Sequence, residues 1–203
     1  MKFLDLFCGT KSITNEAKKF GYKVISLDKE EKYEPTIVSD IMNWEYKKYK
    51  PQTFKIIWAS PPCTEFSKAK TRGERKIKEA LKIVKKTKEI IEYLKPKYYY
   101  IENPEGLLRH QKIMKNMNRE TVSYCKYGYK YRKNTDIWTN RKDLKLKRCI
   151  KGEYCKYKKE HGVHEHTVQD GTSKTQKHEY INTRDMNKRI SIPKKLVREI
   201  LKN

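Results

Sequence analysis

Short apolar runs separated by polar turns fill the first 140 residues. Lys2–Phe7, Lys23–Leu27, Thr36–Val38, Lys55–Ala59 and Tyr98–Ile101 are brief and rich in branched or aromatic side chains. Runs of that length with turn signals on both sides predict buried strands. Between them the period changes. Ile13–Phe20 reads as a helix with Ser12 as its N-cap and Gly21 as its stop. Lys76–Leu94 carries Ile77, Leu81, Val84, Ile91 and Leu94 near helical spacing and ends before Pro96. A further helix is expected over Leu107–Met117, then a final strand pair at Thr121–Tyr124 and Thr135–Trp138. Alternating strands and helices predict an α/β fold: a parallel-rich sheet with helices on both faces.

This texture stops near Asn140. Residues 141–171 hold cysteines, histidines and basic residues with few aliphatics, and read as a small inserted segment. Residues 172–203 form a C-terminal segment in which Ile190-Ser191-Ile192-Pro193 opens a helix, Lys194–Leu201, expected to pack back on the 1–140 domain. A chain of 203 residues can bury one such core with a small appendage. There is no internal repeat.

The formal net charge is +24, from 49 Lys+Arg against 25 Asp+Glu. An excess of that size favours a polyanionic partner, DNA or RNA. A compositional bias toward lysine, spread over solvated helix faces, is the competing explanation. No apolar run reaches the length of a membrane span. The N-terminus reads as a strand and not as a signal peptide, so an intracellular protein is expected, cytoplasmic or in the nucleoid or nucleus. Five cysteines, Cys8, Cys63, Cys125, Cys149 and Cys155, form an odd set in such a chain and argue for thiols over a disulfide framework. Most of the fifteen tyrosines, Tyr98-Tyr99-Tyr100 included, suit sheet packing better than base stacking.

Three motifs stand at predicted strand ends, where open α/β sheets bind ligands. Asp5-Leu6-Phe7-Cys8-Gly9-Thr10-Lys11-Ser12 runs from a strand through a small-residue turn into a helix, the form of a cofactor loop. Asp28 and Asp40 close the next two strands; acids there suit ribose hydroxyls and an adenine amine, or simply cap turns. Pro61-Pro62-Cys63 follows the strand Lys55–Ala59, and the prolines stiffen a turn that presents a thiol, the competent nucleophile once ionised. Glu102-Asn103-Pro104 follows Tyr98–Ile101 and places a carboxyl on the same rim, able to protonate a ring nitrogen.

In this order the three motifs resemble the cytosine C5-specific DNA methyltransferase family, over roughly Met1–Asn140. The most specific part is Pro61-Pro62-Cys63-x-x-x-Ser67. Cys125–Lys133 looks like a divergent form of the family's Gln/Arg motif. The resemblance implies a Rossmann-like S-adenosylmethionine-dependent methyltransferase sheet. It also implies methyl transfer to carbon 5 of a cytosine flipped out of DNA. Cys63 would be the nucleophile, Glu102 the acid at the ring nitrogen, and Arg132 with Lys133 would hold the base or its phosphate. Asp5, Phe7, Gly9, Thr10, Lys11, Asp28, Asp40 and Pro61 would form the cofactor site. The chain departs from the family in three ways. Lys11 stands where a second glycine is usual, no late Asn-Ser segment is visible, and there is no room for a large target recognition domain. It would therefore be a compact, phage- or virus-like form. RNA cytosine methylation, a lapsed enzyme acting as a DNA-binding module and a different cysteine-dependent reaction at cytosine carbon 5 are the alternatives.

The last constellation is Cys149-x5-Cys155-x5-His161-x2-His164, with His166 beyond. Two thiols and two imidazoles suit tetrahedral zinc, and a segment without a core needs such a staple. Cys125 or His166 can substitute for one ligand in this reading. Arg141, Lys142, Arg148 and Lys151 would then contact phosphates.

Overall fold

A computed structural model describes residues 1–150, 152–157, 164 and 190–202. The strands are β1 (Lys2–Leu6), β2 (Lys23–Asp28), β3 (Ile37–Val38), β4 (Ile56–Ala59), β5 (Tyr98–Pro104), β6 (Arg119–Ser123) and β7 (Asn134–Thr139). Among the described residues the α-helices with defined bounds are α1 (Ser12–Lys19), α2 (Ile77–Leu94) and α3 (Lys194–Lys202). One seven-stranded sheet has the order β3-β2-β1-β4-β5-β7-β6. β1 to β5 pair in parallel, whereas β7 runs antiparallel between β5 and β6. The order reverses between β1 and β4, and ligands bind at such a switch point.

Period-two alternation explains why the strands are apolar on both faces. Leu4, Leu6, Ile57, Ala59 and Ile101 pack on one face with Val84, Ile90 and Leu94 of α2. Phe3, Ile56, Trp58 and Tyr100 pack on the other with Ile13 and Ala17 of α1 and Leu196, Val197 and Ile200 of α3. Helices therefore cover both faces, as the alternation of elements predicts.

Two local expectations fail. Leu107–Met117 does not form one helix. It makes two short 3-10 turns, Leu107–His110 and Lys112–Met114, broken where Gln111 is extended at φ −76° and ψ 137°. Long-range bonds dictate this: Leu107 N–H donates to the Phe66 carbonyl at 2.8 Å, and Arg109 bridges to Asp136 and Glu105. Ser12 is not the N-cap of α1 either. Lys11 takes that place in the left-handed region, at φ 58°. The Ser12 hydroxyl instead meets Thr10 Oγ1 at 2.8 Å and accepts from Ile192 N–H at 3.3 Å, so it tethers the chain entering α3.

Asn140 ends the regular sheet, but the core continues past it. Leu144 is buried in the α1/α3 layer. Arg141 is only 4% exposed and is bonded to Asp143 and the Ile200 carbonyl. It is therefore not a phosphate contact. Lys151 lies outside the described residues.

Candidate active site

The register of the sheet assembles the site. Ala59 of β4 pairs with Ile101 of β5, so the next residues, Ser60 and Glu102, share one row at the carboxyl rim. Two bonds fix this row. Trp58 Nε1–H donates to Ser60 Oγ at 3.0 Å, and Asn103 Nδ2 donates to the Pro61 carbonyl at 2.9 Å. The second joins the two motifs directly: the Glu-Asn-Pro strand end holds the Pro-Pro-Cys turn. Cys63 then begins a tight turn whose carbonyl accepts from Phe66 N–H at 3.0 Å and Ser67 N–H at 2.8 Å. Cys63 is in no disulfide and is partly exposed.

The loop beyond Cys63 is strapped down. Arg75 donates to the carbonyls of Glu65, Ser67 and Lys70, and Glu65 pairs with Lys70 at 2.7 Å. Gly106 matters here through space alone. A Cβ at this position would lie 2.2 Å from the Phe66 carbonyl oxygen, so only glycine lets the segment after Glu102-Asn103-Pro104 pass against the cysteine loop.

Glu102 is 6% exposed. Burial raises its carboxyl above the ordinary glutamate range, against the opposing pull of the Lys133 ammonium and the hydroxyls of Tyr124 and Ser60. Tyr124 donates to Glu102 Oε1 at 3.1 Å. Lys133 lies over the Tyr124 ring, 4.9 Å from its centroid. Of the two basic residues expected here, the partly buried Lys133 reaches the field of Glu102; Arg132 is exposed. Tyr124 carries no signal in the sequence, because its role arises only when the turn after β6 folds over the end of β5.

At the cofactor loop, Phe7, Gly9 and Lys11 all have positive φ (61°, 45° and 58°). The left-handed Lys11 explains why glycine suits that position. Its ammonium pairs with Glu34 at 3.1 Å. Asp28 accepts from Gly9 N–H at 2.9 Å and Glu30 N–H at 3.0 Å, and so shapes the loop. Asp40 is exposed and accepts from Met42 N–H at 2.8 Å. Asp5 lies deeper, its carboxylate accepting from Thr14 N–H (3.0 Å) and Thr14 Oγ1–H (2.6 Å). Residues entering α3 flank this loop, with Ile190 Cδ1 placed 3.4 Å from where a Gly9 Cβ would stand. A cavity of about 550 Å³ opens beside it, lined by Thr10, Ser12, Tyr127, Tyr129 and Ser191 among others. Its walls include none of Asp28, Asp40, Cys63 and Glu102, so it borders the site without being its centre. A glycine turn with acids at the next strand ends fits a nucleoside-bearing cofactor.

A model of the family described as C-5 cytosine-specific DNA methylase matches residues 1–138. This chain belongs to that family. It is 34% identical over 170 residues to the Frog virus 3 protein named "Probable DNA (cytosine-5)-methyltransferase", covering 76% of this chain and 78% of that protein. Among solved structures it resembles the Dnmt2 methyltransferase of S. pombe (TM-score 0.51, 15% identity, 76% of this chain and 53% of that one). It also resembles a mutant DNMT2 of Spodoptera frugiperda (TM-score 0.50, 14% identity, 73% of this chain and 55% of that one). The chain spans about half the length of these two structures, and at such identity the likeness concerns the fold. No helix among the described residues is long and apolar enough to cross a membrane.

Three of the four residues of the expected metal site, Cys149, Cys155 and His164, are among the described residues. Cys149, Cys155 and His164 come together and are buried, and Cys125, from the turn after β6, joins them. His161 and His166 lie outside the described residues.

Proposed function

We propose that this chain transfers a methyl group from S-adenosylmethionine to carbon 5 of cytosine in DNA by way of a covalent Cys63 adduct. One observation carries the assignment of residues: Cys63 and the buried Glu102 stand on one rim, joined through the Asn103–Pro61 bond of 2.9 Å. The thiolate of Cys63 adds to ring carbon 6 as Glu102 delivers a proton to ring nitrogen 3. The electron pair of the carbon 5–carbon 6 bond then becomes nucleophilic at carbon 5. S-adenosylmethionine, when bound, supplies the electrophilic methyl group. Loss of the carbon 5 proton to solvent reforms the double bond, expels the Cys63 thiolate and returns the nitrogen proton to Glu102. Tyr124 and Lys133 orient and bias the Glu102 carboxyl. Asp28 and Asp40 would hold the adenosine, with Phe7 beside it and Gly9, Thr10 and Lys11 at the methionine end. Asp5 acts one step back, fixing α1 through Thr14. Pro61 keeps the nucleophile's turn against Asn103.

A DNA duplex containing 5-fluorocytosine tests this reading. Fluorine at carbon 5 cannot leave as the proton does, so the adduct accumulates and survives a denaturing gel. A labelled adduct requiring both S-adenosylmethionine and Cys63 is expected. Cys63→Ala gives none and lowers methyl transfer by at least ~10⁴-fold, with DNA binding retained. An adduct on RNA but not on DNA would replace the substrate, and an active Cys63→Ala enzyme would remove the nucleophile.

A further inference from the structure

The ligand atoms of Cys125, Cys149, Cys155 and His164 all lie within 4.8 Å of one another, and all four residues are buried. His164 Nε2 is 3.6 Å from Cys149 Sγ and 3.5 Å from Cys155 Sγ. Tetrahedral zinc with ordinary Zn–S and Zn–N bonds sets a sulfur–nitrogen edge of about 3.6 Å. The cysteines form no disulfide, and among the described residues the one further apolar side chain packed on the cluster is the partly buried Tyr157. Three buried thiols and an imidazole gathered this closely make a complete donor set for a metal ion. Four protein ligands leave no open position, which marks a structural site.

The place of the cluster gives it a second role. Cys125 directly follows Tyr124 in the turn Tyr124–Tyr127, and Tyr124 donates to Glu102. The segment bearing Cys149 and Cys155 wraps this turn. Cys149 N–H donates to Ser123 Oγ at 2.9 Å, Ser123 N–H to the Lys147 carbonyl at 3.1 Å, and Lys126 Nζ to the Tyr154 carbonyl at 2.8 Å. We propose that Cys125, Cys149, Cys155 and His164 bind one structural zinc ion, and that this centre clamps the turn that holds Tyr124 against Glu102. Tyr124 and the zinc centre are positioning elements; neither touches the reacting atoms. The clamp rests on the catalytic reading of Glu102, whereas the metal site does not.

The full-length protein, purified without chelator, is expected to hold one zinc per chain by elemental mass spectrometry. After exchange into Co(II) it is expected to show thiolate charge-transfer bands and the visible bands of tetrahedral cobalt. Zinc-free protein that also fails to take up Co(II) overturns the site. Cys125→Ser should weaken zinc binding by about 100-fold and lower kcat by about tenfold while KM for S-adenosylmethionine stays unchanged. Tyr124→Phe keeps its zinc and should show a similar fall in kcat. The double variant should be no slower than the slower single one, because both changes release the same contact. Multiplying effects, or wild-type kcat in Tyr124→Phe, overturn the clamp and leave the metal intact. If Cys125→Ser does not fold, Tyr124→Phe and the metal content of the unmodified protein still decide both parts.

Discussion

Two buried carboxyls on one sheet, Asp5 of β1 and Glu102 of β5, have different surroundings. Asp5 is 1% exposed and burial pushes its carboxyl up to about 7. Glu102 is nearly as buried and is raised for the same first reason. Both point to the α1/α3 face. The register separates them: Asp5 is level with Trp58 and Tyr100, whereas Glu102 lies two rows on, level with Ser60 and next to the cysteine turn. Asp5 spends its bonds on Thr14, inside the fold. Glu102 faces a tyrosine hydroxyl and an ammonium at a rim. A raised carboxyl is thus no mark of chemistry by itself; its row in the sheet sets which groups it can reach.

The sharpest break of this comparison is Glu102→Gln. The amide can still donate a hydrogen bond but cannot transfer a proton, so methyl transfer should fall by roughly 10²–10⁴-fold. The pH profile carries the sign. A raised carboxyl keeps its proton to higher pH, and the wild-type rate should decline as pH rises through that raised value. The glutamine variant should lose this falling limb. An unchanged limb would mean that another group supplies the proton.

Gly106→Ala probes the rim without touching a titrating group. The new methyl meets the Phe66 carbonyl, and relieving that clash displaces the cysteine loop. Overpacking of this kind costs about 1–3 kcal/mol, and a displaced nucleophile should lose about 10²-fold in rate. Thermal melting and single-turnover kinetics measure the two, and a wild-type rate would show that the loop does not depend on this contact.

The smallest catalytic effect belongs to Asp5→Asn. Asp5 titrates near 3.8 when unfolded and near 7 when folded. The stability it contributes is complete below pH 3.8 and is lost as pH rises through about 7, at roughly 1.4 kcal/mol for each unit of difference. The asparagine variant should flatten denaturation midpoints between about pH 4 and 7 and keep its catalytic pH profile. A shifted catalytic profile would move Asp5 into the chemistry and erase the distinction from Glu102.

Periodicity in the sequence determined the strands, α1, α2 and α3, because a buried face must repeat every two or 3.6 residues wherever the chain later packs. The order of the Asp-Leu-Phe, Pro-Pro-Cys and Glu-Asn-Pro motifs likewise determined the family, and their place at strand ends followed from the same pattern. The tertiary structure alone decided contacts between residues far apart in the chain. It broke Leu107–Met117 by pairing Leu107 with Phe66, put Tyr124 and Lys133 beside Glu102, and buried Arg141 against α3. It also brought Cys125 to Cys149, Cys155 and His164. Local spacing records none of these, since each depends on where β6 and β7 dock, and that docking is an energy of the whole sheet.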